Sequence, residues 1–127
     1  MLTYIETTAD ITVSVQPFFL EERSNIMKGE FIFAYVITVT NNSADRVHLL
    51  RRHWYVTDSN GEQHEVEGEG VVGQQPYINA GDSYTYNSFC VLKSFHGYME
   101  GTYQLERSDG SLFEIVIPRF YLKANCN

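Results

Sequence analysis

The chain has 127 residues, of which 43% are hydrophobic, 14% aromatic and 20% charged, and its formal net charge at pH 7 is −7. A chain of this length is most simply one domain, residues 1–127, with a hydrophobic core of its own. The composition is ordinary for a folded soluble protein and argues against disorder. The negative charge disfavours partners that are themselves anionic, so we expect neither nucleic-acid binding nor attraction to acidic membranes.

The N-terminal residues Met1-Leu2-Thr3-Tyr4 have neither the basic nor the apolar region of a secretory signal. The longest apolar stretch, residues 31–39, is far shorter than the roughly 20 residues that span a bilayer. We therefore expect a cytoplasmic protein without membrane insertion. The two cysteines form no disulfide framework, and we expect Cys90 to be buried in a strand and Cys126 to be exposed in the tail.

Hydrophobic periodicity predicts strands in the first half of the chain. Apolar and polar residues alternate over residues 11–16, which predicts a strand that Pro17 ends or marks as a sheet edge. Residues 20–30 are polar and predict a loop. Residues 31–40 are apolar on both faces, which predicts a central strand covered on both sides for part of its length.

The second half continues the pattern. Residues 47–57 predict a strand that ends in the Asn60-Gly61 turn, with residues 62–67 as its hairpin partner. Three further strands are predicted, at residues 83–92, 98–106 and 112–122. Pro118 should end the last ladder or lie at a sheet edge. About seven strands, with no helix longer than a turn, predict the all-β class and an antiparallel sandwich or barrel.

The run Gly68-Glu69-Gly70-Val71-Val72-Gly73 spells G-x-G-x-x-G, the letters of a dinucleotide-binding turn. That motif requires a following helix, and an acidic residue about 20 residues further on. Here Gln-Gln-Pro follows at once, and Lys93 lies near the acidic position. We therefore interpret the run as a loop between strands. Either its backbone N–H groups bind an anion, or its glycines only supply unusual backbone angles.

Arg51-Arg52-His53-Trp54 is the one basic cluster. Because side chains alternate along a strand, Arg52 and Trp54 should share one face, and Arg51 and His53 the other. Trp54 is predicted to lie in the core. Arg52 either binds an anion together with the glycine loop or forms a structural ion pair.

The four histidines are the candidate metal ligands, because imidazole suits transition metals. His48 and His53 are an odd number of residues apart and should point to opposite faces unless a bulge intervenes. His48 and His64 could meet across the predicted hairpin and are weak metal candidates. No H-x-H or C-x-x-C spacing supports a dedicated site, and we expect no cofactor. The sequence lacks the G-x-S-x-G elbow that would support nucleophilic catalysis.

Several segments together resemble the ApaG family. They are residues 33–38 with Asn41; Leu49-Leu50; Arg52-His53-Trp54 with Thr57-Asp58 and Gly61; residues 68–73 with Gln75-Pro76; Gly81; residues 97–103; and Asp109-Gly110 with residues 113–118 and Phe120. The resemblance covers about residues 11–122. It implies an immunoglobulin-like or fibronectin type III-like β-sandwich and a bacterial cytoplasmic protein linked to cobalt resistance and magnesium efflux. Similar domains in an F-box protein and a polymerase-delta-interacting protein look like interaction modules, and the family brings no established catalytic residues.

These observations favour a non-catalytic module that binds a protein partner or a small ligand, as a monomer or homodimer. The predicted binding surface consists of Gly68, Gly70, Gly73, Arg52, His53 and Gln75. The alternative is a sensor or enzyme that acts on a phosphate or nucleotide at the same surface.

Overall fold

A computed structural model describes residues 2–124, which contain nine β-strands and no α-helix. The strands are β1 (Tyr4–Thr8), β2 (Ile11–Phe19), β3 (Phe31–Asn41), β4 (Val47–Asp58), β5 (Gln63–Glu69), β6 (Tyr77–Ile78), β7 (Ser83–Leu92), β8 (His96–Arg107) and β9 (Leu112–Lys123). Two single-turn 3-10 helices, Glu21–Arg23 and Ile26–Lys28, lie in the predicted loop between β2 and β3. Within the described residues, no helix is long and apolar enough to cross a membrane.

The strands form two antiparallel sheets. One has the order β1-β2-β3-β7, and the other has the order β5-β4-β8-β9, with β6 paired to the start of β4. Alternate residues of the strands point between the sheets, so that one face of each sheet is buried against the other. The all-β sandwich predicted from the sequence is confirmed.

An aromatic cluster joins the two sheets at the centre of the core. The rings of Tyr35 on β3 and Trp54 on β4 lie 5.5 Å apart, and Phe120 on β9 lies 5.5 Å from Tyr35 and 5.8 Å from Trp54. Tilted and edge-on contacts of this kind add about 0.5–1.5 kcal/mol each beyond the area that they bury. Trp54 is therefore a core residue, as predicted.

Strand β3 is central, but its two faces differ. The residues that point between the sheets are buried, whereas outward residues such as Ile32 and Val36 are half-buried. The apolar run predicted cover on both sides for part of the strand, and the outward face is instead half-covered along its length.

Neither proline ends its strand. Strand β2 continues past Pro17 to Phe19 in register with β3, while its partner β1 reaches only Val15, so Pro17 lies at a locally unpaired edge. Pro118 lies within β9, at the end of the second sheet, where the β8–β9 register shifts. In both cases the edge alternative is correct, because an unpaired edge requires no N–H donor.

The two sides of the sandwich differ. On one side β9 packs against β1 and β2, which closes the space between the sheets. On the other side the edge strands are β5 and β7, and a cleft remains between them.

Candidate binding site between the two sheets

The cleft between β5 and β7 has a volume of about 470 Å³. Its floor is aromatic and apolar, formed by Tyr35, Trp54, Tyr86 and Met99. The polar groups along it include the Arg52 guanidinium. Although the chain contains 16 Asp and Glu residues, no carboxylate belongs to the described residues that line this cleft. The cleft is therefore an apolar space with local positive charge in an acidic protein.

A β-bulge turns Arg52 toward the cleft. On β4, Leu49 is opposite Leu105 and Arg51 is opposite Gln104, so Leu50 is an extra residue. The inward side chains before it are Val47 and Leu49, and after it they are Arg52, Trp54 and Val56. Without the bulge, strict alternation would point Arg52 outward.

The Arg52 guanidinium is held by the glycine loop. Its Nη1 donates hydrogen bonds to the carbonyl oxygens of Glu69, at 2.9 Å, and Gly70, at 3.0 Å. The guanidinium lies over Gly68, where an added Cβ would lie 3.1 Å from Nη1. Glycine at position 68 therefore leaves room for the guanidinium. Arg52 and the glycine loop come together as predicted.

Arg52 has no ion pair with any of the described carboxylates. The predicted structural ion pair is therefore wrong. Carbonyl dipoles compensate part of the charge, and the remaining guanidinium donors are left for other partners. Arg51, by contrast, has an ion pair on the outer face of the strand, where its Nη2 lies 3.8 Å from Glu67 Oε1.

The run predicted as a loop begins inside a strand, because Gly68 and Glu69 are the last two residues of β5. The loop itself starts at Gly70, and it bonds to itself and to β4. The Gly70 N–H donates to the Leu50 carbonyl at 2.7 Å, and Val71 and Gln74 donate to each other's carbonyl oxygens at 2.8 and 3.0 Å. Val72 and Gly73 have φ values of 47° and 76°, which makes a tight turn with left-handed backbone at both central residues. A phosphate nest needs free N–H groups, and three of those in this loop are already used. The contact that this segment makes with the Arg52 guanidinium is instead through its carbonyl oxygens.

Gln75 and the histidines have other contacts. Gln75 Nε2 donates to the Leu50 carbonyl oxygen. The backbone carbonyl oxygen of Gln75 lies 3.0 Å from His48 Nε2. His53 points to the outer face, where its Nε2 lies 3.0 Å from Glu65 Oε2 and its ring stacks on Tyr55. The predicted surface is therefore not continuous. Arg52, Gln75 and the glycine run lie together, whereas His53 lies on the opposite face of β4.

The predicted meeting of His48 and His64 is wrong. His48 is opposite Glu106 and stacks on Tyr77, whereas His64 is opposite Val56 far along β4, so the two do not meet. His48 and His53 both point outward, because the bulge at Leu50 reverses the alternation between them. Among residues 2–124, no group of three or more His, Cys, Asp or Glu side chains is placed to hold a metal ion.

Three tyrosines of the cleft region were not recognised from the sequence as part of a site. The Tyr86 hydroxyl is hydrogen-bonded to the Tyr103 hydroxyl. Burial raises the pKa of Tyr35, Tyr86 and Tyr103, while the nearby charge of Arg52 lowers each pKa by a smaller amount. Alternation along a strand predicts which face Tyr35 and Tyr86 occupy. It does not predict the pairing registers of β3 with β7 and of β4 with β8, which place these rings near Arg52.

Cys90 is buried at the edge of the cleft, as predicted, and Cys126 lies outside the described residues. Burial raises the pKa of the Cys90 thiol to about 11. In a Cys126→Ser variant, we expect alkylation to be about a hundredfold slower than for a free thiol, and to accelerate about tenfold per pH unit from pH 7 to 10, because the thiolate reacts. Stopped alkylation with mass spectrometry measures this. A rate that levels off below pH 9 would contradict the raised pKa.

These features define a two-sheet β-sandwich with a cationic, aromatic cleft on its open side. The model of the ApaG domain matches residues 21–107. The chain is 46% identical to Protein ApaG of Paramagnetospirillum magneticum over 94% of its length and 92% of that protein, and 45% identical to Protein ApaG of Brucella canis over the same shares. A crystal structure of a Bordetella pertussis protein described as ApaA superposes with a TM-score of 0.87 at 38% identity, covering 90% of this chain and 93% of that one. The chain belongs to the ApaG family.

Proposed function

We propose that this protein is a non-catalytic binding module and that the cleft between the two sheets is its binding site. The ligand is an anion with an apolar or aromatic body, either a small molecule or a segment of a protein partner. Gly68, Gly70, Gly73 and Gln75 serve this site by shaping the loop that positions Arg52, and His53 has no part in it.

The observation that carries the proposal is a cation without a carboxylate partner beside an apolar floor. Arg52 is half-buried and bonded only to carbonyl oxygens, and an incoming carboxylate would form a charge-assisted hydrogen bond with it. The aromatic floor of Tyr35, Trp54 and Tyr86 would contact the body of the ligand. Binding sites for small molecules typically combine these two elements.

The resemblance implies a role in cobalt resistance and magnesium efflux, and we include that role in the proposal. The protein would act in the cytoplasm by binding a ligand or partner of the transport process, and not by ligating the cation. The positions of the histidines support this, because they are dispersed over β4, β5 and β8 of the second sheet.

The alternative is a phosphate or nucleotide site at the glycine run. The positive charge of Arg52 supports this alternative, because a guanidinium group binds phosphate well. It is weakened by the internal hydrogen bonds of Gly70, Val71 and Gln74, and by the absence of a helix N-terminus after the run, which is followed by β6.

Thermal-shift titration distinguishes the two functions. We expect 3-phenylpropionate and indole-3-acetate at millimolar concentrations to raise the melting temperature as their concentration rises, and their primary amides to have no such effect. Arg52→Ala should abolish the shift, whereas the control Arg51→Ala, on the outer face of the same strand, should retain it. Ligand should also slow Cys90 alkylation.

Equal stabilisation by acid and amide, or no stabilisation by either, would contradict the proposed site. Stabilisation by pyrophosphate, ADP or ATP without an effect of the carboxylates would favour the phosphate alternative. Stabilisation by Co²⁺ or Mg²⁺ alone would favour direct cation binding.

A further inference from the structure

We propose that the free edge of β7 accepts an extended peptide from another protein as an additional strand, and that an acidic side chain of this peptide enters the cleft and pairs with Arg52. This inference rests on the proposed function, because it takes the cleft as the binding site. It specifies the occupant as a peptide segment, held by main-chain hydrogen bonds along β7.

Strand β7 is a long and regular edge. Its ten residues pair with β3 in an unbroken register, from Phe31 opposite Leu92 to Thr40 opposite Ser83. In the described part of the chain, no backbone hydrogen bond reaches residues 84–91 from any element other than β3. Half of the N–H and C=O groups of a regular edge strand point away from its neighbour, and such a row is a template for a further strand.

Strand β7 also lacks the features that normally prevent strand addition. Its sequence, Ser-Tyr-Thr-Tyr-Asn-Ser-Phe-Cys-Val-Leu, contains no charged residue and no proline, and it has no bulge. Proteins usually protect exposed edges with lysines or other charges, prolines, bulges or very short strands. An edge of this length without such protection is suited to main-chain pairing.

The other edges of the two sheets are protected. Strand β5 carries Glu65, Glu67 and Glu69 along its outward face. Strand β9 contains Pro118 at a register shift and packs against the first sheet. Strand β1 has only five residues. The contrast between β7 and these edges indicates that β7 is the edge at which a partner can bind.

The cleft indicates what the inward side chains of the added strand should be. Tyr86, Ser88 and Cys90 of β7 line the cleft, so alternate side chains of a strand beside β7 would point into the same space. There they would meet Arg52 and the aromatic floor. One acidic residue flanked by apolar residues two positions away fits this environment.

The outer face of β7 adds a second apolar contact. Phe89 is 52% exposed and Val91 is 46% exposed, and both lie next to the free edge. Outward side chains of an added strand would cover them, since cross-strand neighbours on one face lie in contact. The peptide should therefore be apolar on its outward face at this end of β7.

A second copy of this chain fits the same edge less well. Pairing of β7 with β7 of another copy would bring no carboxylate to Arg52, because β7 contains neither Asp nor Glu. Arg52 would then stay without an acidic partner. Charge complementarity therefore favours a different protein that supplies the acidic residue.

Selection from a display library of random nonapeptides tests the inference on the full-length protein. We expect the enriched peptides to share one Asp or Glu at a fixed position, with apolar residues two positions away. Selection on Arg52→Gln should lose this acidic preference, whereas selection on the control Arg51→Gln should keep it. In a double-mutant cycle, changing the peptide Glu to Gln should cost at least about tenfold in Kd with the wild-type protein and little with Arg52→Gln.

N-methylation of the synthetic peptide tests the main-chain pairing on wild-type protein, so it does not depend on the folding of any variant. Methyl groups on alternate amides should abolish binding, and methyl groups on the intervening amides should have little effect, because only one edge of the peptide faces β7. Amide hydrogen exchange of residues 84–91 should slow when the peptide binds.

Binding that tolerates N-methylation at every position, unchanged exchange in β7, or no enriched peptide would overturn the inference. A dimer at micromolar concentration with β7 amides already protected would also overturn it and would assign the edge to a second copy. The proposed function would survive each of these results if the small carboxylates still stabilise the protein through Arg52, and would fail separately if they do not.

Discussion

Gly101→Ala should be among the most destabilising single-methyl additions in this protein, lowering the free energy of unfolding by about 3 kcal/mol or more. Gly101 on β8 is opposite Trp54 on β4, and an added Cβ would overlap the carbonyl oxygen of His53 and lie 3.0 Å from its carbonyl carbon. Because these are backbone atoms, relief requires the two strands to separate. The melting temperature should fall by roughly 10 °C, and urea unfolding measures the loss directly.

Gly110→Ala is the matched control. Gly110 lies in the turn before β9 with φ 87°, and an added Cβ would meet nothing within 4 Å. Its cost is backbone strain alone, about 1–2 kcal/mol. If the two variants lose equal stability, the close approach of β4 and β8 at Gly101 does not limit stability.

The sequence was sufficient for the class of fold because alternation and turn chemistry are local signals. Residues 11–16, 47–57 and 112–122 all lie within observed strands, and the Asn60-Gly61 turn connects β4 to β5. Two short strands were not predicted, β1 and β6. Strand β1 has five residues that are mostly exposed, and β6 has two residues, so neither carries a long enough periodic pattern.

The candidate site was predicted only in part, because its decisive feature is a single extra residue. Arg52 and Trp54 were correctly assigned to one face by their spacing. The bulge at Leu50 decides that this face points between the sheets, and no turn residue or proline in Leu49-Leu50-Arg51 signals it. The same bulge places His48 and His53 on one face, the exception to alternation for which the prediction allowed.

The glycine run shows the opposite case, in which a familiar pattern misleads until its surroundings are known. Its letters match a dinucleotide-binding turn, but each glycine has a local cause. Gly68 lies under the Arg52 guanidinium, Gly70 avoids overlap with the Gln74 carbonyl oxygen, and Gly73 adopts a left-handed turn conformation. The run serves the cleft through the orientation of Arg52.

The tyrosines beneath the cleft should make the protein sensitive to alkaline pH. Burial raises the pKa of Tyr86 and Tyr103 well above that of an exposed tyrosine, and raises the pKa of Tyr35 as well. A raised pKa means that the folded state holds the proton more tightly than the unfolded state does. The stabilising contribution is therefore complete below pH 10 and is lost as the pH rises above it.

The size of the effect follows from the linkage between proton binding and folding. Above pH 10, Tyr86 and Tyr103 together should remove about 3 kcal/mol of stability per pH unit, and Tyr35 adds to this loss. Domains of this kind are stable by about 5–15 kcal/mol. At a loss of about 3–4 kcal/mol per pH unit, a domain near the lower end of that range unfolds between about pH 11 and 12, and a more stable one at higher pH. Urea unfolding from pH 8 to 11 should show the fall in stability. The ultraviolet absorbance of tyrosinate, followed to pH 13, should show the buried tyrosines ionising in the same transition as unfolding.

The double variant Tyr86→Phe/Tyr103→Phe isolates the cause. It removes both hydroxyls of one hydrogen bond and retains the rings, a change that is nearly neutral at pH 8, and it should flatten the fall in stability above pH 10. Tyr77→Phe, at a tyrosine that is 58% exposed, should leave the fall unchanged. An equally steep fall in the double variant would show that the buried hydroxyl pair is not what limits stability at high pH. A flattened fall would tie alkaline stability to the tyrosines that lie beside Arg52, and any ligand of the cleft should then shift the alkaline midpoint upward.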